Sequence, residues 1–423
     1  MLKKTRPIIG LALGLLLFGS AMSSAFAAGN PVTGNQGSPA EAAITKQLEM
    51  PLGTTTPAVT FTFNIDPKKV DGDTNETPPA LNSAAGSLEF KDTDAGEPVN
   101  GKKVVTHETP NLFTGVSWTH TGEYVYEITE IAGADSTDNE FWYYSLAKYE
   151  LTVLVKLGSD GKYYVAQYQS VVKIADTDEE DGDKVDARPG DETDTHPYSD
   201  MIFTNKYVKT NGPTDPETPD PTTESTLIVS KTVTGDLGDT KKQFDFSITL
   251  TYPTLLPDVT TPLPAYYRAY VVANNAVIDP KDNADASLIG QDGDDGNKYI
   301  KVSTSAATAY TLKHGQRLVF VDTPVGSPYV VTETQDNYIT TVIVKTAGSA
   351  EDLHAVLTTS SQLVGDGAKN TEANSAAFTN NRESVSMTGV LINNLPFVGL
   401  IALALGALVA YVVVRARKSK VTS

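Results

Sequence analysis

The chain has 423 residues, 40% of them hydrophobic and 8% aromatic, and a formal net charge of -19. That length suits two domains, and the acidity excludes nucleic acid, whose phosphates would repel it. With no cysteine, disulfides and thiolate zinc sites are excluded as well.

The first element is an export signal over residues 1–27. Lys3, Lys4 and Arg6 precede the apolar run "PIIGLALGLLLFG", and Ala25-Phe26-Ala27 reads as a small-residue cleavage site. The mature chain is expected to begin near Ala28.

Residues 41–206 alternate as strands do. "AAITKQL" sets Ala42, Ile44, Lys46 and Leu48 on one face, and "AVTFTFNI" does the same for Val59, Phe61, Phe63 and Ile65. "YEITE" aligns Tyr126, Ile128 and Glu130, and the strand ending in "FTN" aligns Met201, Phe203 and Asn205. Residues 207–224 carry Pro213, Pro216, Pro219 and Pro221, which favour an extended linker.

Residues 225–381 repeat these landmarks in the same order. "STLIVSKTV" aligns Leu227, Val229, Lys231 and Val233, and "FDFSITL" aligns Phe244, Phe246, Ile248 and Leu250. "YVVTE" aligns Tyr329, Val331 and Glu333, and the last strand aligns Ala376, Phe378 and Asn380. Turn signals such as "GSDG" and "DGDDGN" separate short strands, which predicts an all-β chain of two tandem β-sandwiches. One stretch, "SAEDLHAVL" from Ser349 to Leu357, reads as helical. Residues 382–423 then hold an apolar run at 395–414, long enough to span a membrane, followed by Arg415, Arg417, Lys418 and Lys420 as a positive-inside tail.

The alternation directs a lysine, a glutamate and an asparagine inward in each half. Singly, such a lysine or glutamate snorkels to water and such an asparagine caps a turn. Repeated twice in one order, the set points to chemistry, because burying separate charges costs several kcal/mol each unless they pair and neutralise. A desolvated lysine loses its proton readily and a desolvated glutamate gains one. The neutral amine is then a nucleophile, while the protonated carboxyl can donate to the asparagine carboxamide oxygen and stabilise the oxyanion. Ammonia leaves and an amide remains. The assignment is Lys46, Asn205 and catalytic Glu130 for one isopeptide bond, and Lys231, Asn380 and catalytic Glu333 for the other, with no cofactor and no enzymatic activity beyond single-turnover self-crosslinking.

The order "ITKQL", "YEITE", "FTN" and then "LIVSKTV", "YTLKHGQRLVFVDTPVGSPYVVTE", "FTNN" resembles the two-domain backbone pilins of streptococcal type and their isopeptide-linkage domains. The similarity covers most of residues 41–381 and is strongest in the second half, where Pro324, Gly326, Tyr329 and Glu333 fall in the family's pattern. It implies immunoglobulin-like sandwiches of the collagen-adhesin B type, and it implies for the matching lysines, asparagines and glutamates the roles given above.

The resemblance also implies a sortase sorting signal in residues 382–423. Val385-Ser386-Met387-Thr388-Gly389 is the expected pentapeptide, cut between Thr388 and Gly389, although it has Ser386 where proline is usual. Leu395-Pro396-Phe397-Val398-Gly399 is the rival. The expected partners are sortase, neighbouring pilin subunits and peptidoglycan, on the wall-anchored outer surface of a Gram-positive bacterium, with a precursor held transiently in the membrane. The family's acceptor lysine before the first-domain asparagine has no counterpart in "THPYSDMIFTN", which leaves Lys173, Lys184 and Lys206 as candidates or the position without an acceptor. The alternative function is a monomeric wall-anchored adhesin, or a tip or base pilin, that binds a host-surface ligand. No metal site is expected, because His107, His120, His196, His314 and His354 are scattered and the run "DTDEEDGDKVD" lacks a calcium-loop register.

Overall fold

The computed structural model describes residues 31–384 apart from 134–135, 137–139, 177–179, 192–195, 211–214, 218–226, 256–263, 294–295, 322, 348–351 and 367–373. The signal peptide, both sorting pentapeptides, the apolar run at 395–414 and most of the linker lie outside the described residues. Among the described residues there is no α-helix, and none is long and apolar enough to cross a membrane. The all-β class read from the alternation therefore holds.

Each half folds as two facing sheets. In the first, a seven-stranded sheet runs Val32–Thr33, Tyr163–Ile174, Lys148–Leu157, Gly122–Ile131, Val59–Val70 and Ser87–Phe90, with Lys184–Val185 paired to Tyr163–Ile174. Facing it is a five-stranded sheet of Glu97–Val99, Lys102–Glu108, Thr45–Pro51, Ile202–Lys209 and Glu140–Tyr143. Pro67 cannot donate to a ladder, and the strand Val59–Val70 takes it up with a register shift between Pro67 and Lys69.

The second half pairs a nine-stranded sheet with a four-stranded one. Leu227–Thr234 lies between Gln316–Phe320 and Asn374–Asn381 in the larger sheet, and Pro328–Glu333 pairs with Phe244–Leu250 in the smaller. In both halves the first long strand and the last run side by side and parallel. The inward sets are buried as the phase requires: Leu227, Val229 and Val233 pack with Phe244, Phe246, Tyr329, Val331 and Phe378 in one core.

Three expectations need adjusting. The stretch Leu353–Ala355 is a strand paired with Ile339–Lys345, not a helix; sheet pairing decides a three-residue segment that intrinsic propensity does not. The closing strand of the first domain runs to Lys209, three residues past residue 206, because Tyr207 and Val208 are buried. At the other end that domain begins before residue 41, since Val32–Thr33 joins the edge of the larger sheet.

The halves meet along a short seam. Val325 N–H donates to Lys209 O at 3.0 Å, and Lys209 Nζ reaches Asp366 at 2.8 Å, where the acid is 3% exposed. Gly326 takes φ +82°, and a Cβ there would lie 2.6 Å from Leu52 O. Only glycine meets both demands at once.

Candidate functional site

The first candidate site lies where two apolar clusters of the first domain adjoin. Ile44, Phe63 and Phe203 belong to the larger cluster, while Leu48, Phe61 and Tyr207 belong to the smaller. Between them, on the same strands, stand Lys46 and Asn205, both with 0% exposure. Glu130 comes from the facing sheet on Gly122–Ile131, next to Phe63 in register. Its carboxylate bridges the two: Lys46 Nζ lies 2.7 Å from Oε2, and Asn205 Nδ2 donates to Oε1 at 2.6 Å. Lys46 Nζ also donates to Phe203 O at 3.1 Å and sits 4.7 Å from the Phe61 ring centroid.

The second site repeats this arrangement. Lys231 Nζ lies 2.8 Å and 2.7 Å from the two carboxylate oxygens of Glu333, and Asn380 Nδ2 donates to Glu333 Oε1. Phe244 lies under the amine at 4.3 Å. Register explains the correspondence: Lys46 is opposite Phe203 and Leu48 opposite Asn205, just as Lys231 is opposite Phe378 and Val233 opposite Asn380. The facing strands match too, with Glu130 opposite Phe63 and Glu333 opposite Phe246.

Burial governs the electrostatics. It pulls the Lys46 amine down to about 8, against the opposing pull of Glu130, and it pulls Lys231 down to about 8 against Glu333. The Glu130 carboxyl is pushed up, again chiefly by burial, with Lys46 opposing. An amine lowered to about 8 is neutral far more often near neutral pH than an unperturbed lysine. Each site therefore sets a lysine amine of lowered basicity beside a carboxamide.

Proton routing differs from the sequence expectation. The glutamates accept from the asparagine amide nitrogen and do not donate to its oxygen. In the first site that orientation is fixed, because Ser145 N–H donates to Asn205 Oδ1 at 2.7 Å and an N–H can meet only the oxygen end of a carboxamide. Ser145 and its neighbour Asp176, which accepts from Leu146 N–H at 3.0 Å and Thr204 N–H at 3.2 Å, escaped the sequence reading. They lie in loops, where alternation gives no phase. Asn380 Oδ1, by contrast, is buried without a hydrogen-bond partner among the described residues.

Elsewhere, Lys173 is paired with Glu150 at 3.3 Å, Lys184 is exposed, and Lys206 is half-buried; none of these lysines enters either site. Among the described residues no group of three or more histidine, aspartate or glutamate residues is placed to hold a metal ion.

Residues 42–208 match the family described as a Spy0128-like isopeptide containing domain, and residues 225–382 match a domain of unknown function (DUF7601). No curated protein matches the sequence. Among solved structures the chain is similar to the major pilin from Streptococcus pyogenes, at 20% identity over 82% of this chain and 99% of that one, with a TM-score of 0.32. It is similar to the major pilin of a further S. pyogenes serotype, at 19% identity over 81% and 98% of the two chains, with a TM-score of 0.31. The pilus-presented adhesin Spy0125 is 19% identical over 56% of this chain and 36% of that one, with a TM-score of 0.22. TM-scores of this size carry no weight for the arrangement of the whole chain, and the family match is confined to residues 42–208.

Proposed function

We propose, from the match of residues 42–208 to the Spy0128-like isopeptide containing domain, that the chain is a structural subunit of a surface pilus, its domains sealed by two autocatalytic Lys–Asn isopeptide bonds. The observation that carries this reading is a single buried carboxylate bridging a lysine and an asparagine on adjacent first and last strands, twice in one chain.

The neutral amine of Lys46 attacks Asn205 Cγ, and that of Lys231 attacks Asn380 Cγ. In the first site Glu130 Oε2 faces the amine and Oε1 faces the amide nitrogen, so the carboxyl takes a proton from Nζ and returns one to Nδ2. The Nζ–Cγ bond forms, the Cγ–Nδ2 bond breaks, and one ammonia departs. Glu333 has the same position in the second site. Holding the partners in place supplies about 7–11 kcal/mol in well-oriented intramolecular reactions.

Placement gives the bonds their use. Each ties the strand where tension enters to the strand where it leaves, enclosing roughly 150 residues whose extended length is on the order of 500 Å at about 3.3–3.6 Å per residue. Pulling on the ends then cannot draw out the sandwich between them. A shaft under shear needs that property.

In the same reading, sortase joins Thr388 to an amine of the next subunit or of peptidoglycan. Intact-mass measurement of residues 28–384 tests the bonds: a deficit of two ammonias is expected, with Glu130→Ala and Glu333→Ala each restoring one. Immunoblots of cell-wall extracts test polymerisation. Detergent-resistant ladders lost on deleting a pilin sortase fit the shaft, whereas a single anchored species overturns it in favour of a monomeric adhesin.

A further inference from the structure

The two sites are alike in lysine, glutamate and asparagine and unlike at the carboxamide oxygen. At Asn205 that oxygen receives the Ser145 backbone N–H at 2.7 Å in a buried setting; at Asn380 it meets no donor among the described residues. When an amine adds to a carboxamide, negative charge collects on this oxygen, and a fixed donor aimed at it lowers the barrier.

Ser145 lies in the loop between Glu140–Tyr143 and Lys148–Leu157. Asp176 fixes that loop from outside the site: its carboxylate accepts from Ser145 Oγ and from the Leu146 and Thr204 N–H groups. Thr204 is the residue before Asn205, so one carboxylate ties the donor's loop to the acceptor's strand. Ser145 Oγ in turn accepts from Ala147 N–H at 3.1 Å, which closes the turn behind the donor.

We propose that the Ser145 backbone N–H is the oxyanion donor for closure of the Lys46–Asn205 bond, and that Asp176 is the positioning residue that aims it. The inference rests on the isopeptide reading of the first site. The step balances without any co-reactant: Nζ bonds to Cγ, the carbonyl electron pair moves onto Oδ1 under the Ser145 N–H, then returns as Cγ–Nδ2 breaks and ammonia leaves with the proton carried by Glu130.

The test follows the first bond against the second in the full chain by intact mass and peptide mapping at fixed times after synthesis. Installing the α-hydroxy counterpart of serine at position 145 replaces the N–H by an ester oxygen and leaves the side chain in place. The expected result is first-site closure slowed by about 10²-fold with second-site closure unchanged. Asp176→Ala is expected to slow the first site alone, and Asp176→Asn, which keeps an acceptor for the loop, to recover part of the rate. A purely structural role is separated by melting the same variants in a Lys46→Ala background: the proposal requires that the ester leave this unlinked melting temperature within a few degrees while the rate falls. First-site closure at the normal rate in the ester variant overturns the proposal, as does a rate loss matched by collapse of the unlinked fold. If the unmodified chain loses no ammonia at either site, the underlying isopeptide reading fails instead, which is a different result.

Discussion

Lys231 stands opposite Phe378 across a parallel strand pair, with Asn380 two residues further along on the same inward face. Lys46 and Phe203 have the same relationship, with Asn205 two residues on. Because side chains alternate, a carboxamide one residue away faces the other side of the sheet. The double substitution Thr379→Asn with Asn380→Thr keeps composition and local polarity, yet it should abolish the second bond completely. Intact mass should show one ammonia lost instead of two, and any second loss would refute the register argument.

Removing one bond should be visible in stability as well. A covalent tie around roughly 150 residues restricts the unfolded chain, and the chain-entropy relation used for disulfides gives about 5 kcal/mol for such a loop. Asn205→Ala is therefore expected to lower the melting temperature of the first domain by roughly 10–20 °C, with the second domain's transition unmoved. Differential scanning calorimetry resolves the two.

Much of this arrangement was legible in the sequence because period-2 alternation is a strong signal when one face is buried. Lys46, Glu130 and Asn205 were placed inward by phase alone, and all three side chains are buried in one site. What escaped was contributed by loops: Ser145 meets Asn205 through its backbone N–H and the Asp176 carboxylate holds that turn, where no period exists to read. The strand Leu353–Ala355 escaped for another reason, since its partner Ile339–Lys345 supplies the pairing that its own composition does not demand. The family resemblance added the connection between chemistry and use, which no alternation contains.

The lysines should also leave a pH signature wherever the bonds are prevented. In the Asn205→Ala, Asn380→Ala double variant both amines stay free, with folded values of about 8 against an unfolded value of about 10.4. Between those limits the unfolded chain binds more protons than the folded one, so stability rises with pH from about 8 to about 10.4 and is flat with respect to these groups below about 8. Urea titrations at pH 7.5, 9 and 10 should show increasing midpoints for this variant. The raised Glu130 carboxyl acts in the opposite sense, removing stability as pH climbs above its ordinary range. The cross-linked protein lacks the lysine term, so its midpoints should not rise across the alkaline window.

The aromatic floor beneath each amine should matter for dryness more than for shape. Phe244 is 2% exposed and lies 4.3 Å from Lys231 Nζ. Phe244→Ala opens a cavity costing about 3–5 kcal/mol, and water admitted there restores the ammonium and starves the reaction of nucleophile. Phe244→Leu loses the ring face but keeps the site apolar. Cross-linking of the second domain should fall severely in the alanine variant and persist in the leucine variant, as read by peptide mapping.

The seam between the domains gives a last prediction, because in the proposed shaft role force passes through the junction as well as through the sandwiches. Asp366 is nearly buried, and besides Lys209 Nζ at 2.8 Å it accepts from Thr55 N–H at 3.3 Å. Lys209→Ala removes the counter-charge from a nearly buried carboxylate, at a cost of about 1–3 kcal/mol. Gly326→Ala acts on the same seam from the other side, since its Cβ collides with Leu52 O at a φ that L residues rarely adopt. Neither residue touches a cross-linking site, so both variants should still lose two ammonias. Small-angle scattering should nevertheless show a broader distribution of interdomain distances than in the unmodified chain. An unchanged distribution in both variants would mean that the seam does not set the angle between the domains.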